Sequence, residues 1–311
     1  MNRTQFNKSV VPGLFSFALD SYKPRSGEGE LWRQVIEQAG AVKSSNRTYE
    51  ESAYYAGLGT VPGKGEGEPI VYDDMVQGPT KRWTHRTFGL GIRVTEELIE
   101  DSLYPDIPTE MEAVSRELGS SARETITLLT FDIWNSGTGT TTHTAGDGLA
   151  IFTTAHTQLR GGTWSNLLSP ASDLSATALQ TALDSFENTR DDTGKIQMIQ
   201  AKAILVNPSN AWKAKELLNS TYDPESPNNS INAIKDRNLQ LVSTAYYTDT
   251  DAFTLLATPP IANGGVVAFL RRKPTFARDG DFNTGDALFK VTFRYSVEVN
   301  KPNNMFHSAG A

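Results

Sequence analysis

The sequence predicts an α+β chain, and three features carry that expectation. Apolar residues recur at helical spacing over residues 109–134, giving one long amphipathic helix. Ala203–Val206 is a continuous apolar run, as in a strand buried on both faces, while Ala287–Val299 alternates apolar and other residues throughout. These elements come in mixed order, with no recurring βαβ unit and no internal repeat.

Residues 1–53 have the pattern of an arm. Val10, Val11, Leu14, Phe15 and Phe17 form two short apolar patches. Lys23-Pro24-Arg25-Ser26-Gly27 separates them from Leu31, Trp32, Val35 and Ile36, which recur at i, i+4 as in a short amphipathic helix. Segments this small cannot close a core alone. Their apolar side chains, Trp32 among them, need a neighbouring surface on another copy or on the same chain.

A glycine-rich stretch follows, Gly57-Leu58-Gly59-Thr60-Val61-Pro62-Gly63-Lys64-Gly65-Glu66-Gly67. It leads to an expected strand over residues 69–75, a turn at Gln77-Gly78-Pro79, and a strand in which Phe88, Leu90, Ile92 and Val94 alternate. Together these predict a two-stranded excursion with segregated charge. Glu66, Glu68, Asp73 and Asp74 lie on one limb, and Lys81, Arg82, Arg86 and Arg93 on the other. Such charges either form a solvated face or meet a neighbouring subunit.

In the long helix, Thr109 and Glu112 are spaced as a capping box. Met111, Val114, Leu118, Ala122, Ile126, Leu129 and Ile133 form the stripe, and Asn135-Ser136-Gly137 is the stop. After a loop-rich passage, Asp173 or Ser175 caps a helix carrying Leu179, Leu183 and Phe186 on one face. Ala203–Val206 turns at Asn207-Pro208 into a further helix over residues 211–218. Strands are expected at 239–242, Phe253–Leu256, 266–270 and Ala287–Val299.

Composition narrows the function. With 29 basic and 36 acidic residues the net charge is −7, which argues against a dedicated nucleic-acid reader but not against a container that faces nucleic acid. Cysteine is absent, so disulfides, thiolate catalysis and cysteine-based metal sites are excluded. Met1-Asn2-Arg3-Thr4-Gln5 lacks an apolar h-region and no apolar run approaches membrane-spanning length. The expectation is a cytoplasmic product that needs no membrane.

The search for chemistry finds none. The glycine stretch fails the Walker pattern, because Leu58 stands at the first glycine position and Gly65 replaces the hydroxyl residue. It fails the dinucleotide fingerprint at Pro62. None of the four histidines, His85, His143, His156 and His307, has metal-ligand spacing. His156 with Ser165 and Asp147 is conceivable as a hydrolase triad, but no G-x-S-x-G elbow accompanies it. Glu96, Glu97, Glu100 and Asp101 suit a solvated helix start. The expectation is no catalytic residue, no cofactor and no metal.

Three segments carry a resemblance. Gly148-Leu149-Ala150-Ile151-Phe152-Thr153-Thr154-Ala155-His156-Thr157 is similar to a "G-L-x-L-F-S-T-A-H" passage, with threonine for serine. Ala203-Ile204-Leu205-Val206-Asn207-Pro208-Ser209-Asn210-Ala211-Trp212 gives a strand, an Asn-Pro turn and a helix. The strands near 239–242 and 253–256 are followed by the late strand ending at Asn300-Lys301-Pro302. From about residue 50 onward, in content and order, these resemble major capsid proteins of tailed bacteriophages with the Hong Kong 97-type fold, and among them the Mu-like major head subunit group.

The resemblance implies an N-arm at 1–53, an extended loop at 54–92, a peripheral domain at 93–175 and 271–311 with a spine helix at 109–134, and an axial domain at 176–270. It implies self-assembly as hexamers and pentamers into an icosahedral head enclosing double-stranded DNA, which touches the inner face non-specifically. Implied partners are a separate scaffolding protein, a portal and, in decorated heads, a decoration protein. The implied location is the virion, after assembly in the host bacterial cytoplasm. Intersubunit contacts are expected at Glu66, Glu68, Asp73, Asp74, Lys81, Arg82, Arg86 and Trp32. Some relatives crosslink a loop lysine to a neighbour's asparagine, for which Lys64 or Lys81 with Asn303 or Asn304 are the conceivable pairs. The alternatives are a tail or decoration protein, or a hydrolase around His156.

Overall fold

The architecture is organised around one long strand, β11 (Ala287–Val299). Ala287, Phe289, Val291, Phe293, Tyr295, Val297 and Val299 all point inward and are buried. Each such large apolar side chain contributes roughly 1.5–3 kcal/mol on burial, so this alternation is strongly selected. In the computed structural model, which describes residues 18, 20–22, 31–95, 97, 107–225, 230–259, 264–281 and 283–311, β11 is the interior of the first of two four-stranded sheets. Its neighbours are β10 (Val266–Gly280) and β4 (Arg86–Val94), both antiparallel; β1 (Gly40–Lys43) completes that edge, parallel to β10. The N-terminal apolar patches lie outside the described residues, as do Glu96, Glu100 and Asp101.

Helix α2 (Ile107–Asn135) lies across the buried face of this sheet, a rod of roughly 43 Å at 1.5 Å per residue. Leu118, Ala122, Ile126 and Ile133 of its stripe are buried with Val291, Phe293 and Tyr295. The helix begins two residues before Thr109, so Thr109 is not its cap; the side chains of Thr109 and Glu112 lie outside the described residues. Gly119 has a packing role. A β-carbon there would stand 2.2 Å from the Ala18 carbonyl oxygen, so glycine admits the N-terminal segment's backbone.

Helix α1 (Leu31–Ala39) joins the same core, and this corrects one expectation. Trp32 is 1% exposed and sets its ring edge-on to Tyr295, centroids 6.0 Å apart. Its apolar area is consumed within its own chain, so it offers no surface to a neighbour. Tyr295 is also fixed by hydrogen bonding. The Thr130 hydroxyl donates to the Ile126 carbonyl at 2.8 Å, leaving its oxygen to accept from the Tyr295 hydroxyl at 2.7 Å.

The second sheet runs β12 (Met305–Ser308), β9 (Phe253–Leu256), β7 (Ala203–Val206), β8 (Gln240–Ser243), with only β7 and β8 parallel. Every residue of β7 is buried because the sheet is covered twice. Ile204, Val206, Leu255 and Phe306 pack in one cluster with helices α3 (Ala176–Glu187) and α4 (Pro208–Asn219). Ala203, Leu205, Leu256 and Met305 join the first sheet's core instead. Both caps are side-chain caps: Ser175 accepts from the Ala178 amide and Asn207 from the Ser209 amide. Of the two candidates, Ser175 therefore caps α3.

The expected excursion is paired differently. Residues 69–75 are not a strand, and Gln77-Gly78-Pro79 is not a turn. The ribbon is instead β2 (Tyr49–Ala56) with β3 (Val76–Thr84), and it straddles the expected boundary at residues 53 and 54. Tyr54, Ala56 and Trp83 supply its buried positions, while residues 69–75 are all exposed and find no surface of the chain to pack on. Gly78 sits under the Tyr54 ring, where a β-carbon would lie 2.9 Å from it. Strand β4 pairs with β11 rather than closing a hairpin. Strand β10 continues past Leu270 through two register shifts that accommodate Arg271, Lys273 and Pro274. β1 and β12 were not expected; at four residues each they are too short to show a period.

The two sheets meet at Asn304, which is wholly buried. Its Nδ2 donates to the Ala39 carbonyl at 2.5 Å and the Ala257 carbonyl at 2.8 Å, and its own carbonyl accepts from the Ala257 amide. Truncation orphans two buried carbonyls at about 1–3 kcal/mol each. Asn304→Ala is expected to lower the stability of the unassembled subunit by about 2–5 kcal/mol, read by urea denaturation followed by tryptophan fluorescence. A loss under about 1 kcal/mol would show that the two sheets are held together elsewhere.

Candidate intersubunit surface

The ribbon β2–β3 runs over the face of the first sheet opposite α2, where Trp83 packs on Val267 and Phe269. Beyond it, residues 57–75 form an open loop. Val61 is 96% and Tyr72 92% exposed, and Ile70, Val71 and Met75 are exposed with them. So much apolar surface on one projecting segment has no cover within the chain.

Arg160 and Lys195 clamp the root of this loop, and neither was a candidate from the sequence. Arg160 stands in the turn between β5 (His156–Thr157) and β6 (Thr163–Trp164). Its guanidinium donates to Asp73 Oδ1 at 2.8 Å, to the Gly57 carbonyl at 3.1 Å and to the Asp74 carbonyl at 2.5 Å. Lys195 Nζ adds a bond to the Leu58 carbonyl at 2.7 Å. The hydrogen bond from Arg160, joined by the Gly59 amide, holds the Asp73 carboxyl below its ordinary range. The chain separation of 87 residues between Arg160 and Asp73 explains why no local pattern announced the pair.

The predicted contact residues divide into three groups. Asp73, Lys81 and Arg82 are engaged within the chain. Lys81 Nζ lies 3.1 Å from Glu298 Oε2 and donates to the Thr144 carbonyl at 2.6 Å. Arg82 meets Glu51 at 2.6 Å and covers the Tyr49 ring at 4.3 Å. Glu66, Glu68, Asp74 and Arg86 have exposed side chains. Trp32, as described, is core.

Beneath the ribbon is a charged knot. His143 Nε2 lies 3.2 Å from Asp132 and its Nδ1 3.5 Å from Glu298. Burial works against the charged form of His143, yet Glu298 and then Asp132 raise its pKa above the ordinary value. Burial likewise opposes Glu298 ionisation, but His143 and Lys81 hold its pKa below the ordinary value. Nearby, Lys301 and Asp192 form a buried ion pair under the Tyr54 ring. Breaking such a pair from one side costs about 3–5 kcal/mol.

His156 and Asp147 do meet, Nδ1 to Oδ2 at 2.8 Å, but without a nucleophile. The other ring nitrogen faces the Ile151 carbonyl at 3.1 Å, and the ring is stacked on Trp164. Ser165 is turned away, donating to the Leu167 carbonyl at 2.9 Å. The pair ties a loop to a turn. His307 is buried against Thr254, and burial pushes it down to about 4 with Asp249 opposing. Among the described residues no group of three potential ligands could hold a metal, and no helix is long and apolar enough to cross a membrane. A cleft of about 240 Å³ lies between ribbon and sheet, lined by Lys43, Ser44, Glu50, Glu51, Ser52 and Trp83; no histidine lines it beside the two serines. Asn303 and Asn304, the conceivable crosslink partners, are buried and bonded inside the chain.

A family model described as phage capsid protein matches residues 78–307, more than half of the chain. Among curated proteins no sequence matches. Solved capsids share the fold at low identity. The capsid of a native GTA particle is 12% identical with a TM-score of 0.56, covering 91% of each chain. The capsid of cyanophage P-SCSP1u is 11% identical with a TM-score of 0.55, covering 87% of this chain and 86% of the other. The mature capsid of bacteriophage PhiM1 is 12% identical with a TM-score of 0.54, covering 86% and 83%.

Two outcomes are expected from the clamp and the knot. Arg160→Ala should speed amide hydrogen exchange in residues 57–75 about tenfold while leaving exchange in β11 unchanged; equal exchange in the loop would remove Arg160 from the clamp. The His143 contribution is present below its unfolded pKa and lost as pH rises through its raised folded value. The Glu298 contribution is present above its unfolded pKa and lost as pH falls through its depressed value. Subunit stability should therefore fall on the alkaline side of the raised His143 value, and His143→Gln should abolish that limb in a pH series of melting curves.

Proposed function

We propose that this chain, which belongs to the phage capsid protein family, is the repeating tile of an icosahedral head, set in hexamers and pentamers around double-stranded DNA. Its fold is of the Hong Kong 97 type, and its role is that of a major capsid protein, structural and not enzymatic. The observation that carries the finer reading is the open loop at 57–75. It holds its apolar residues away from the chain's own core on a clamped root, and burying them needs another copy.

On this reading, residues 1–53 are the N-arm and 54–92 the extended loop. Residues 93–175 and 271–311 form the peripheral domain, and 176–270 the axial domain. The first sheet with α2 supports the peripheral unit, and the second sheet with α3 and α4 supports the axial one. β12, at 305–308, then returns from the peripheral segment to complete the axial sheet. Glu66, Glu68, Asp74 and Arg86 are the exposed charges that would meet a neighbour, Glu68 accepting from the Gly65 amide, and Asp73, Lys81 and Arg82 hold the loop that presents them. A separate scaffolding protein and a portal take part in assembly in the host cytoplasm. The DNA is touched non-specifically, consistent with a net charge of −7. A decoration protein is the partner of the outer face in decorated heads. The passage 148–157 is what favours the Mu-like group.

The test is electron microscopy of the purified full chain with light scattering for mass. Rings, tubes or closed shells of megadalton mass are expected; a uniform monomer even after co-expression with a scaffolding protein would overturn the reading. Replacing residues 60–72 by a short Gly-Ser linker should leave a folded subunit that forms no regular shell.

A further inference from the structure

On the sheet face opposite α2, three cationic or donor side chains converge, and the acid that faces them, Glu50, is bonded elsewhere. His85, 5% exposed, sits between β3 and β4. Its Nδ1 meets the Ser296 hydroxyl at 2.8 Å, while its Nε2 is buried without a partner. Two strand positions along, β10 inserts one extra residue, Arg271, between the pairs Leu270–Tyr295 and Arg272–Arg294. Alternation along β10, with Val267 and Phe269 against the ribbon and Leu270 against the core, puts Arg271 on the ribbon face at this bulge. Arg271 Nη1 and Arg294 Nε are likewise buried and unpartnered. Neither guanidinium has an ion pair or hydrogen bond among the described residues. Phe269, two residues before Arg271, places its ring 5.5 Å from that of His85, which fixes the three groups on one patch.

This arrangement is costly for an isolated subunit. Half-buried charges are normally paired, and two unpaired guanidinium groups beside a buried imidazole repel one another. Burial and then the Arg271 charge push the His85 pKa down, with Glu50 opposing and Arg294 adding to the fall. Glu50, the acid that faces the patch, is already bonded to Ser45 at 2.7 Å and lies 3.7 Å from Arg47. An incoming carboxylate would satisfy the orphaned donors and could be held in bidentate fashion by either arginine. The complementary charge is on the same chain but elsewhere. Glu66 and Glu68 are exposed on the projecting loop and make no ion pair among the described residues. Unpaired acids on the projection and unpaired bases on the sheet face are what a heterologous contact between copies requires.

We infer that His85, Arg271 and Arg294 form a carboxylate-binding site that receives Glu66 or Glu68 from the loop of a second copy. The inference rests on the proposed reach of that loop between subunits, and it names the receiving residues. Two measurements test it, both on the full chain assembled into shells. The chain has no cysteine, so E66C/R271C and E68C/R271C can be treated with a short bifunctional maleimide. A ladder of covalently joined subunits is expected from at least one double variant and not from the single variants; intact shells of both that yield no ladder overturn the site. The second is charge reversal. R271E/R294E should raise the protein concentration needed for assembly at least tenfold, and adding E66R/E68R should bring it back to within about threefold of wild type. An unchanged threshold, or a raised one that loop reversal does not restore, overturns the pairing. Normal shells that retain less DNA would assign the patch to phosphate instead, which also overturns it. A wild-type chain that stays monomeric under the same conditions would fail the capsid reading itself, a result distinct from shells that assemble and ignore these residues.

Discussion

Everything in the fold passes through the junction at Asn304. One carboxamide bonds the end of α1 and the end of β9, while the backbone of the same residue pairs with Ala257. The surrounding backbone is as tight as it can be. A β-carbon on Gly40 would fall 1.7 Å from the Val266 carbonyl oxygen, and Gly265, at φ +69°, lies against the Ala39 carbonyl and the Asn304 side chain. These contacts start the parallel β1–β10 pair and bring β12 back to β9. They act with the bonds of Asn135 to Tyr246 and Thr248, which tie the end of α2 to the second sheet's connecting segment.

That rigidity matters because the proposed function depends on parts that the chain cannot bury alone. The core takes up Trp32, the α2 stripe and the inward face of β11. What remains outside is the loop 57–75, held by ionic and backbone contacts from Arg160 and Lys195. Exposed contacts of this sort are individually worth little, roughly 0–1 kcal/mol, so the loop's root is defined while its tip stays adaptable. A tile that must fit slightly different neighbours at five-fold and six-fold positions benefits from that division.

Charge is distributed by the same logic. The knot of Lys81, Glu298, His143 and Asp132 is satisfied internally and anchors the ribbon, and Lys301 with Asp192 does so more deeply. The Asp147–His156 pair, which has the look of part of a triad, is a structural tie because Ser165 faces away and the second ring nitrogen faces a carbonyl. Geometry, not residue type, separates a buried polar staple from a catalytic group. His85, Arg271 and Arg294 each keep a buried nitrogen without a partner, which is what the proposed contact with a second copy would satisfy.

Residues 109–134, Ala203–Val206, Phe253–Leu256 and Ala287–Val299 were legible in the sequence, because period 3.6, period 2 or an unbroken apolar run survives whatever the tertiary context. The passages at 148–157 and 203–212 and the order of the elements carried the resemblance to capsid proteins, and the family match over residues 78–307 agrees with it. The ribbon's register was not legible. Residues 69–75 carry strand-like composition, yet the pairing falls on 49–56 and 76–84, because Tyr54 and Trp83 find a sheet to pack on and residues 69–75 do not. Nor could charge alone say that Lys81 and Arg82 are spent inside the chain while Glu66 and Arg86 are free. Periodicity is a local record of which face is buried; the partner of a charge is chosen by residues scores of positions away, and only the tertiary structure brings Arg160 to Asp73 or Arg271 to His85.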